Sequence, residues 1–195
     1  YVRKPFPPRC FQASQEYPFL EIRDKSVIQG YVDKNTGGWV YNVSLETCDN
    51  GVNLRFIGAA AGWKGHHTLG WWLVVPKLSV QGTITVDGKK VEVTGRGYHD
   101  HNIYPFYAPL VAKGYHFGKI GGNRFCVTWA RVMKNRFIEE KLVVLNQGKT
   151  GYCRVNPSDI DFVINEQMRD HGELIPKKFL LRVENNQLRI NLCME

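Results

Sequence analysis

The amino-acid sequence predicts an all-β protein whose antiparallel strands form a barrel or a sandwich. Segments in which polar and apolar residues alternate recur along the chain at the spacing of hairpins. Residues that favour turns lie between these segments, and helical periodicity with capping residues is almost absent. Evenly spaced antiparallel strands joined by short turns close into a barrel or stack in two layers, and we favour the barrel.

The prolines divide the chain into three parts. Four prolines fall within residues 1–20, which predicts an extended N-terminal segment that lies outside the core. A second irregular stretch with two prolines runs from Ile103 to Ala112. We therefore expect a first β-barrel half or domain over residues 21–112. Residues 113–195 then form a second β half, which closes the barrel or begins a second one.

Strands are predicted where the alternation is clearest. They cover residues 39–45, 52–57, 71–75, 78–86, 90–94, 125–132, 141–145, 160–164, 179–183 and 188–192. The turns between them contain residues that tolerate a positive φ angle: Asp49-Asn50-Gly51, Asp87-Gly88, Gly121-Gly122-Asn123 and Asn185-Asn186. The pair Asp87-Gly88 is the strongest of these hairpin signals.

The charge pattern limits the partners. The formal net charge is +8, but the lysines and arginines are scattered and form no basic stripe. We expect a solvated basic surface and no nucleic-acid partner. Attraction to anionic lipids stays open, and with it peripheral association with a membrane surface. No apolar run approaches the roughly 18 to 20 residues of a membrane-spanning helix.

The cysteine pattern points to a reducing compartment. The chain has five widely spaced cysteines and no C-x-x-C pair. This pattern indicates neither a disulfide framework nor a cysteine zinc site. A cytoplasmic location is therefore expected.

The segment GRGYHDHNIY, residues 95–104, is the densest cluster of polar and titratable side chains. Side chains alternate across a strand, so Tyr98, Asp100 and Asn102 should share one face, with His99 and His101 on the other. Continuing the alternation from the preceding valines turns the two histidines inward. A bulge at the glycines of this segment would instead turn Tyr98 and Asp100 inward.

The two orientations imply different chemistry. Inward His99 and His101 could share a divalent metal if His66, His67 or His116 supplied a further ligand. An inward Asp100 among aromatic rings would be desolvated, which favours its neutral form and suits a general acid. Tyr98 could then share or orient that proton. A third reading makes the segment a polar turn capped by Asp100.

Aromatic side chains flank this segment and could hold an apolar substrate. Trp71 and Trp72 are adjacent, so one ring should face the interior, where its π face can stabilise a cation. The small residues before them, which end at His67, resemble a cavity rim. The candidate substrate-binding residues are Trp71, Trp72, Asn102, Tyr104, Tyr107, Phe117, Trp129 and His67.

Several motifs resemble the lipocalin-like hydratase/cyclase group, which includes the carotenoid hydratases and is related to fungal Diels–Alderases. The matching region covers roughly residues 39–147. The motifs are WWLVVP at 71–76, VxGxI at 80–84, the VDGK hairpin, VxVxGxGYHDHN at 91–102 and YxFG at 115–118.

The resemblance implies an antiparallel lipocalin-like β-barrel, often two in one chain. It also implies a hydrophobic polyene or polyketide-like ligand and no metal or organic cofactor. A Tyr-x-Asp pair in the hydratases is thought to take part in adding water to a double bond, and Tyr98 and Asp100 match that pair. Trp72 or Trp71 falls near the position of a pocket tryptophan.

These observations predict a cofactor-free lyase or isomerase of the hydratase or cyclase type. It would act on a hydrophobic terpenoid, polyene or polyketide-like molecule by general acid catalysis in the barrel cavity. The candidate catalytic residues are Asp100, Tyr98, His99 and His101, with no metal. The alternative is a non-catalytic binding protein for a hydrophobic ligand, in which the polar cluster is a structural plug.

Overall fold

The computed structural model describes residues 7–23, 25–67, 70–134, 137–149, 151–185 and 188–194. The strands in chain order are β1 (Phe11–Ala13), β2 (Phe19–Ile22), β3 (Lys25–Val32), β4 (Trp39–Glu46), β5 (Gly51–Gly58), β6 (Trp63–His67), β7 (Gly70–Val86), β8 (Lys89–Ile103), β9 (Gly114–Gly121), β10 (Phe125–Met133), β11 (Glu139–Gln147), β12 (Gly151–Arg154), β13 (Ile160–Asp170), β14 (Glu173–Glu184) and β15 (Arg189–Met194). A four-residue helix, α1, spans Ala108–Val111, and short 3-10 turns occur at Pro8–Cys10 and Pro157–Asp159. The predicted all-β class is confirmed.

The strands form three sheets. The largest has the order β1-β2-β3-β4-β5-β7-β6, with β8 paired to β7. The second has the order β12-β11-β10-β9, and the third has the order β13-β14-β15. Strands that follow one another in sequence are neighbours in most of these pairs, which is the topology that short hairpin connections produce. The registers given for these sheets are antiparallel, as predicted.

The hairpin between β7 and β8 forms at the strongest turn signal. Asp87 has a φ angle of 49° and Gly88 of 74°. A two-residue turn of type I′ needs a positive φ at both central residues, because its twist then matches the twist of the flanking strands. The local sequence therefore fixes this hairpin.

Both strands of this hairpin are longer than the sequence predicts. Residues 71–75 and 78–86 belong to one strand, β7, which continues through Pro76. Strand β8 was predicted to end at residue 94, but it extends to Ile103 and includes the whole motif at 95–102. The reading of this motif as a polar turn is therefore wrong, since paired backbone holds it extended.

The chain divides into two compact units. The first contains residues 1–65, 72–102 and 147–151, and the second contains 66–71, 103–146 and 152–195. Within the N-terminal segment predicted to be extended, residues 11–13 form β1 and pair with β2. The irregular stretch around α1 belongs to the second unit.

The first unit packs around Tyr41, Val75 and Leu78, with Trp39 and Phe56 against them. Val74 and Val75 are adjacent in β7, and they are 2% and 4% exposed. Neighbouring side chains in a strand point to opposite faces. Both faces of β7 are therefore covered at this position.

The second unit has its own core, in which the four-stranded and three-stranded sheets contribute facing side chains. The buried members are Val127, Trp129, Val143, Leu145, Val155, Ile160, Leu181 and Val183. Burying a side chain of this size contributes about 1.5–3 kcal/mol, so this cluster is a major source of stability. No helix among the described residues is long and apolar enough to cross a membrane.

Candidate active site

Asp100 is the centre of a hydrogen-bonded cluster in the first unit. Its Oδ2 atom accepts from the Tyr98 hydroxyl at 3.3 Å and from the Asn102 side-chain amide at 3.4 Å. It also accepts from the indole Nε1 of Trp72 at 3.4 Å. Three donors from two paired strands thus converge on one carboxylate oxygen.

The alternation of β8 brings this cluster together. Tyr98, Asp100 and Asn102 are two residues apart, so an extended strand places them on one face. Trp72 comes from β7, the strand that pairs with β8. The shared face was predicted from the sequence, and Trp72, one of the two residues that the resemblance placed near a pocket tryptophan, contacts Asp100.

Trp72 anchors the cluster because its ring is held rigidly. Its side chain is 4% exposed, and it packs edge-on against the buried Trp63, with ring centroids 5.1 Å apart and planes at 78°. Edge-to-face packing of this kind is favourable by about 0.5–1.5 kcal/mol beyond burial. The indole N–H is therefore presented to Asp100 in a fixed direction.

The opposite face of β8 packs against the core of the first unit. A Cβ on Gly97 would lie 2.7 Å from Phe56 Cδ1, so the strand approaches closely there. The His99 ring lies 4.6 Å from the Tyr41 ring. His99 therefore faces the apolar cluster, and Asp100 faces Trp72. Each face of β8 thus has a covered neighbour at residues 99 and 100, so neither of the two exclusive orientations considered from the sequence describes the strand fully.

Burial lowers the pKa of His99, an effect that nearby Asp100 opposes and nearby His101 reinforces. Burial also raises the pKa of Tyr41 to about 12. His99 is therefore neutral at physiological pH and packs on a neutral phenol. Its contacts are those of a core residue, and it points away from the face that carries Asp100.

The histidines do not assemble as a metal site in the part of the chain that the structure describes. His101 is exposed, and His66 packs against Trp71. His116 belongs to the second unit, and the side chain of His67 lies outside the described residues. Among the described residues, no three His, Cys, Asp or Glu side chains form a group that could hold a metal ion.

The arrangement around Asp100 suits proton transfer. Among the described residues, all three hydrogen bonds to Asp100 end on Oδ2. The Oδ1 atom is thereby left to carry a proton or to meet a ligand. Hydrogen-bond donors of this kind interact more strongly with a carboxylate than with a neutral carboxyl group.

The other candidate substrate-binding residues lie in the second unit. Trp71 is 42% exposed, and Tyr104 and Tyr107 are also exposed. Phe117 and Trp129 line a cleft of about 390 Å³ together with Tyr115, His116, Pro176 and Phe179. Trp72 and Asn102 thus contact Asp100, and Phe117 and Trp129 line the cleft, whereas Trp71, Tyr104 and Tyr107 belong to neither group.

The cleft contains a half-buried histidine. The His116 ring stacks on Phe179, with centroids 6.3 Å apart and planes at 28°. Burial lowers the pKa of His116, the charge of Arg131 lowers it further, and Glu139 raises it. Arg131 lies opposite His116 in the register of β9 and β10, and its Nη2 atom contacts Glu139 at 2.6 Å. His116 is therefore a neutral donor and acceptor within an aromatic cleft.

Sequence reasoning missed the residues that build these surroundings. Tyr41 and Trp63 precede the motif by many residues, and Pro176 and Phe179 follow it on a distant strand. No local pattern marks such contacts, since they depend on the pairing of strands far apart in sequence. A tryptophan at the start of a short strand was the one usable signal for Trp63.

No protein-family model and no curated protein matches the sequence. A crystal structure from Nitrosomonas europaea, described as that of an AttH, shares the fold at 14% identity with a TM-score of 0.56. Kievitone hydratase from Nectria haematococca shares it at 10% identity with a TM-score of 0.54. The matches cover 84% and 86% of this chain, but only 54% and 58% of those chains. The chain thus spans little more than half the length of each, and the likeness supports the lipocalin-like fold class.

Proposed function

We propose that this protein is a cofactor-free lyase of the hydratase type, with Asp100 as its general acid. The observation that carries the proposal is the convergence of Trp72, Tyr98 and Asn102 on one oxygen of Asp100. The fold that the chain shares with kievitone hydratase supports the same class of reaction. The substrate would be a hydrophobic terpenoid, polyene or polyketide-like molecule with a carbon–carbon double bond.

In the proposed reaction, protonated Asp100 transfers its proton to one alkene carbon. The π electron pair forms the new C–H bond, and the other alkene carbon becomes a cation. A water oxygen then forms a C–O bond to that carbon, and the proton that this water loses returns to Asp100. The net change is the addition of one water molecule, and the reverse sequence removes it.

The three donors act mainly after the proton has left. In the proposed first step Asp100 gives up its proton, so the hydrogen bonds to Oδ2 strengthen as negative charge develops. Interactions that are stronger in the transition state than in the ground state are the ones that accelerate a reaction.

Cyclase or isomerase chemistry would use the same first step. If a second double bond attacks the cation in place of water, the product is a ring, and if a neighbouring carbon loses a proton, the product is an isomer. The choice depends on whether water reaches the cation. Tyr98, hydrogen-bonded to Asp100, is the residue we assign to orient the proton.

The test begins with the natural ligand. Purified protein is extracted with organic solvent, the co-purifying hydrophobic molecule is identified by mass spectrometry, and it is incubated with fresh protein in heavy water. We expect one deuterium at a product carbon. Asp100→Asn should keep the fold and ligand uptake and lose about 10²–10⁴ in rate. The matched control is Asp161→Asn, an exposed change of the same type in β13, which should react like the wild type.

A non-catalytic binding protein is the second candidate. The observation in its favour is that Asp100 already has three protein partners, as expected for a structural plug. Under this alternative, Asp100→Asn lowers thermal stability and the ligand is recovered unchanged. A chemically altered ligand after incubation with the wild type would contradict the binding protein, and wild-type turnover by Asp100→Asn would contradict the acid.

A further inference from the structure

We propose that the cleft in the second unit is a separate binding site for a planar aromatic molecule that carries a hydroxyl group. Its volume, about 390 Å³, lies within the range of small-molecule sites and suits a ligand of two or three fused rings. The site lies wholly within the second unit and shares no residue with the Asp100 cluster.

The lining is almost entirely aromatic. Phe179 stacks on His116 and also meets Trp129 edge-on, with centroids 5.2 Å apart and planes at 73°. Tyr115 and Phe117 flank His116 in β9, and strand alternation turns their side chains to the opposite face, where they are 69% and 40% exposed. The aromatic wall of the cleft is therefore formed by His116, Trp129 and Phe179, and such a wall favours flat, apolar ligands.

A defect in strand pairing builds one wall of the cleft. Phe179 and Pro176 are three residues apart in β14, so regular alternation would place them on opposite faces. The register passes from the Ile164–Phe179 pair to Glu166–Lys178 and then to Gln167–Pro176, so β13 has an extra residue at Asn165 and β14 has one at Lys177. The bulge at Lys177 reverses the alternation and turns Pro176 to the face of Phe179.

The bulge is held by charge pairing. The Nζ atom of Lys177 lies 2.8 Å from Glu166 Oε1 on the partner strand, and Lys178 lies 3.9 Å from the other oxygen of the same carboxylate. These groups are exposed, so the pairing contributes little to overall stability. It does orient the extra residue outward. Bulges occur preferentially next to binding sites, where they redirect a side chain.

His116 supplies the polar recognition. Neither ring nitrogen makes a hydrogen bond to any of the described residues. A neutral imidazole presents one donor and one acceptor nitrogen, and the acceptor can receive the O–H of a ligand hydroxyl. The Arg131 guanidinium opposite His116 is paired with Glu139, so the two charges offset each other near that ligand oxygen. An aromatic alcohol can donate the hydrogen bond to His116, whereas an unsubstituted hydrocarbon cannot.

The experiment compares two probes, 2-naphthol and 2-methoxynaphthalene, which differ in their ability to donate a hydrogen bond. Each is titrated into the full chain by calorimetry, and the perturbed amide resonances are mapped by NMR. We expect 2-naphthol to bind more tightly, with the largest shifts at Tyr115, His116 and Phe117. No binding of either probe, or shifts centred on Asp100, would overturn the proposal.

The variant His116→Phe keeps an aromatic ring against Phe179 and removes the acceptor nitrogen. It should weaken 2-naphthol binding about fivefold and leave 2-methoxynaphthalene unchanged, since one neutral hydrogen bond contributes about that much. Equally weakened binding of both probes, or unchanged binding of both, would contradict the hydrogen-bonding role assigned to the His116 nitrogen. If His116→Phe does not fold, the affinities of His116→Gln for the two probes and the NMR map of the wild type are used in its place.

The two proposals are separable. Asp100→Asn should leave 2-naphthol affinity unchanged, because the cleft and the Asp100 cluster share no residue. Loss of turnover with intact cleft binding would support both proposals. Loss of 2-naphthol binding in Asp100→Asn would contradict an independent site without bearing on Asp100 as an acid.

Discussion

Trp72 and Asp100 are 28 residues apart in sequence, and the indole Nε1 of the first donates to Oδ2 of the second across 3.4 Å. Indole N–H is a donor only, so Trp72 can pair with Asp100 only by donating to its carboxylate. The pairing of β7 with β8 brings the two side chains together at the end of a long hairpin. The acid is therefore positioned by a strand pair and not by a mobile loop.

Tyr98 and Asp100 should be energetically coupled. In a double-mutant cycle of Tyr98→Phe and Asp100→Asn, we expect a coupling free energy of about 0.5–1.5 kcal/mol, measured by urea unfolding, because the two side chains share a hydrogen bond. The control cycle combines Tyr98→Phe with Asp161→Asn, whose effects should add. Additive effects in the first cycle would mean that the hydrogen bond contributes nothing to stability.

Gly97→Ala should destabilise the protein by about 1–3 kcal/mol, because the new methyl group would lie 2.7 Å from Phe56 and 2.9 Å from Val80. Gly95, two residues earlier in β8, is the matched control, since a Cβ there has no atom within 4 Å. Gly95→Ala should therefore leave the melting temperature close to that of the wild type. Equal effects of the two changes would show that β8 does not pack on Phe56 as described.

His99 should make stability depend on pH. Burial lowers the pKa of folded His99 below its unfolded value near 6.5, so the unfolded state binds more protons in this range. The free energy of unfolding is then at its full value above about pH 6.5 and falls as the pH drops toward the folded pKa. His99→Phe keeps a ring on Tyr41 and should flatten this fall, measured by urea unfolding between about pH 7 and pH 5.

The matched control is His171→Gln, because the His171 side chain is 96% exposed. Its pH profile should follow that of the wild type. If His99→Phe retains the full fall in stability, the buried charge responsible lies elsewhere, and His116 is the next residue to change.

Gly88→Ala should lower the free energy of unfolding by about 1–2 kcal/mol through backbone strain alone. The φ angle of Gly88 is 74°, which disfavours residues with a Cβ, and no atom lies within 4 Å of the added methyl group. Gly88→Asn should cost less, because asparagine tolerates this conformation. Equal costs for alanine and asparagine in thermal unfolding would contradict a strain confined to the backbone.

The sequence predicted the strands whose alternation is complete, and it missed those whose alternation is broken. Strand β9, GYHFGKIG, contains three glycines and no clear apolar face, so no pattern marked it. Pro76 made β7 look like two strands, although an interrupted hydrogen-bond ladder need not end a strand. Turn chemistry was reliable at Asp87-Gly88, where both φ angles are positive, but Gly51 and Gly121 in other predicted turns have no positive φ.

The site was predictable only in part, for a related reason. Side chains in a strand alternate between its two faces, so Tyr98 and Asp100 share a face whatever the tertiary structure. The structure confirms this grouping. Which face of β8 is buried depends on the neighbouring strands. From the sequence, either the histidines or the Tyr98 and Asp100 side chains were expected to face inward, but not both. The structure covers both faces at this position, so His99 packs on Tyr41 while Asp100 meets Trp72. Long-range pairing of this kind has no local signature.

The extra residue at Lys177 has a consequence for how this fold can diversify. Deleting that single position would restore strict alternation in β14 and turn Pro176 out of the wall beside Phe179, while the extra residue at Asn165 in β13 would stay in place. The number of residues in β14, independent of their side-chain chemistry, thus determines which residues form this wall of the cleft. Relatives that differ by one residue here would present different walls on the same scaffold.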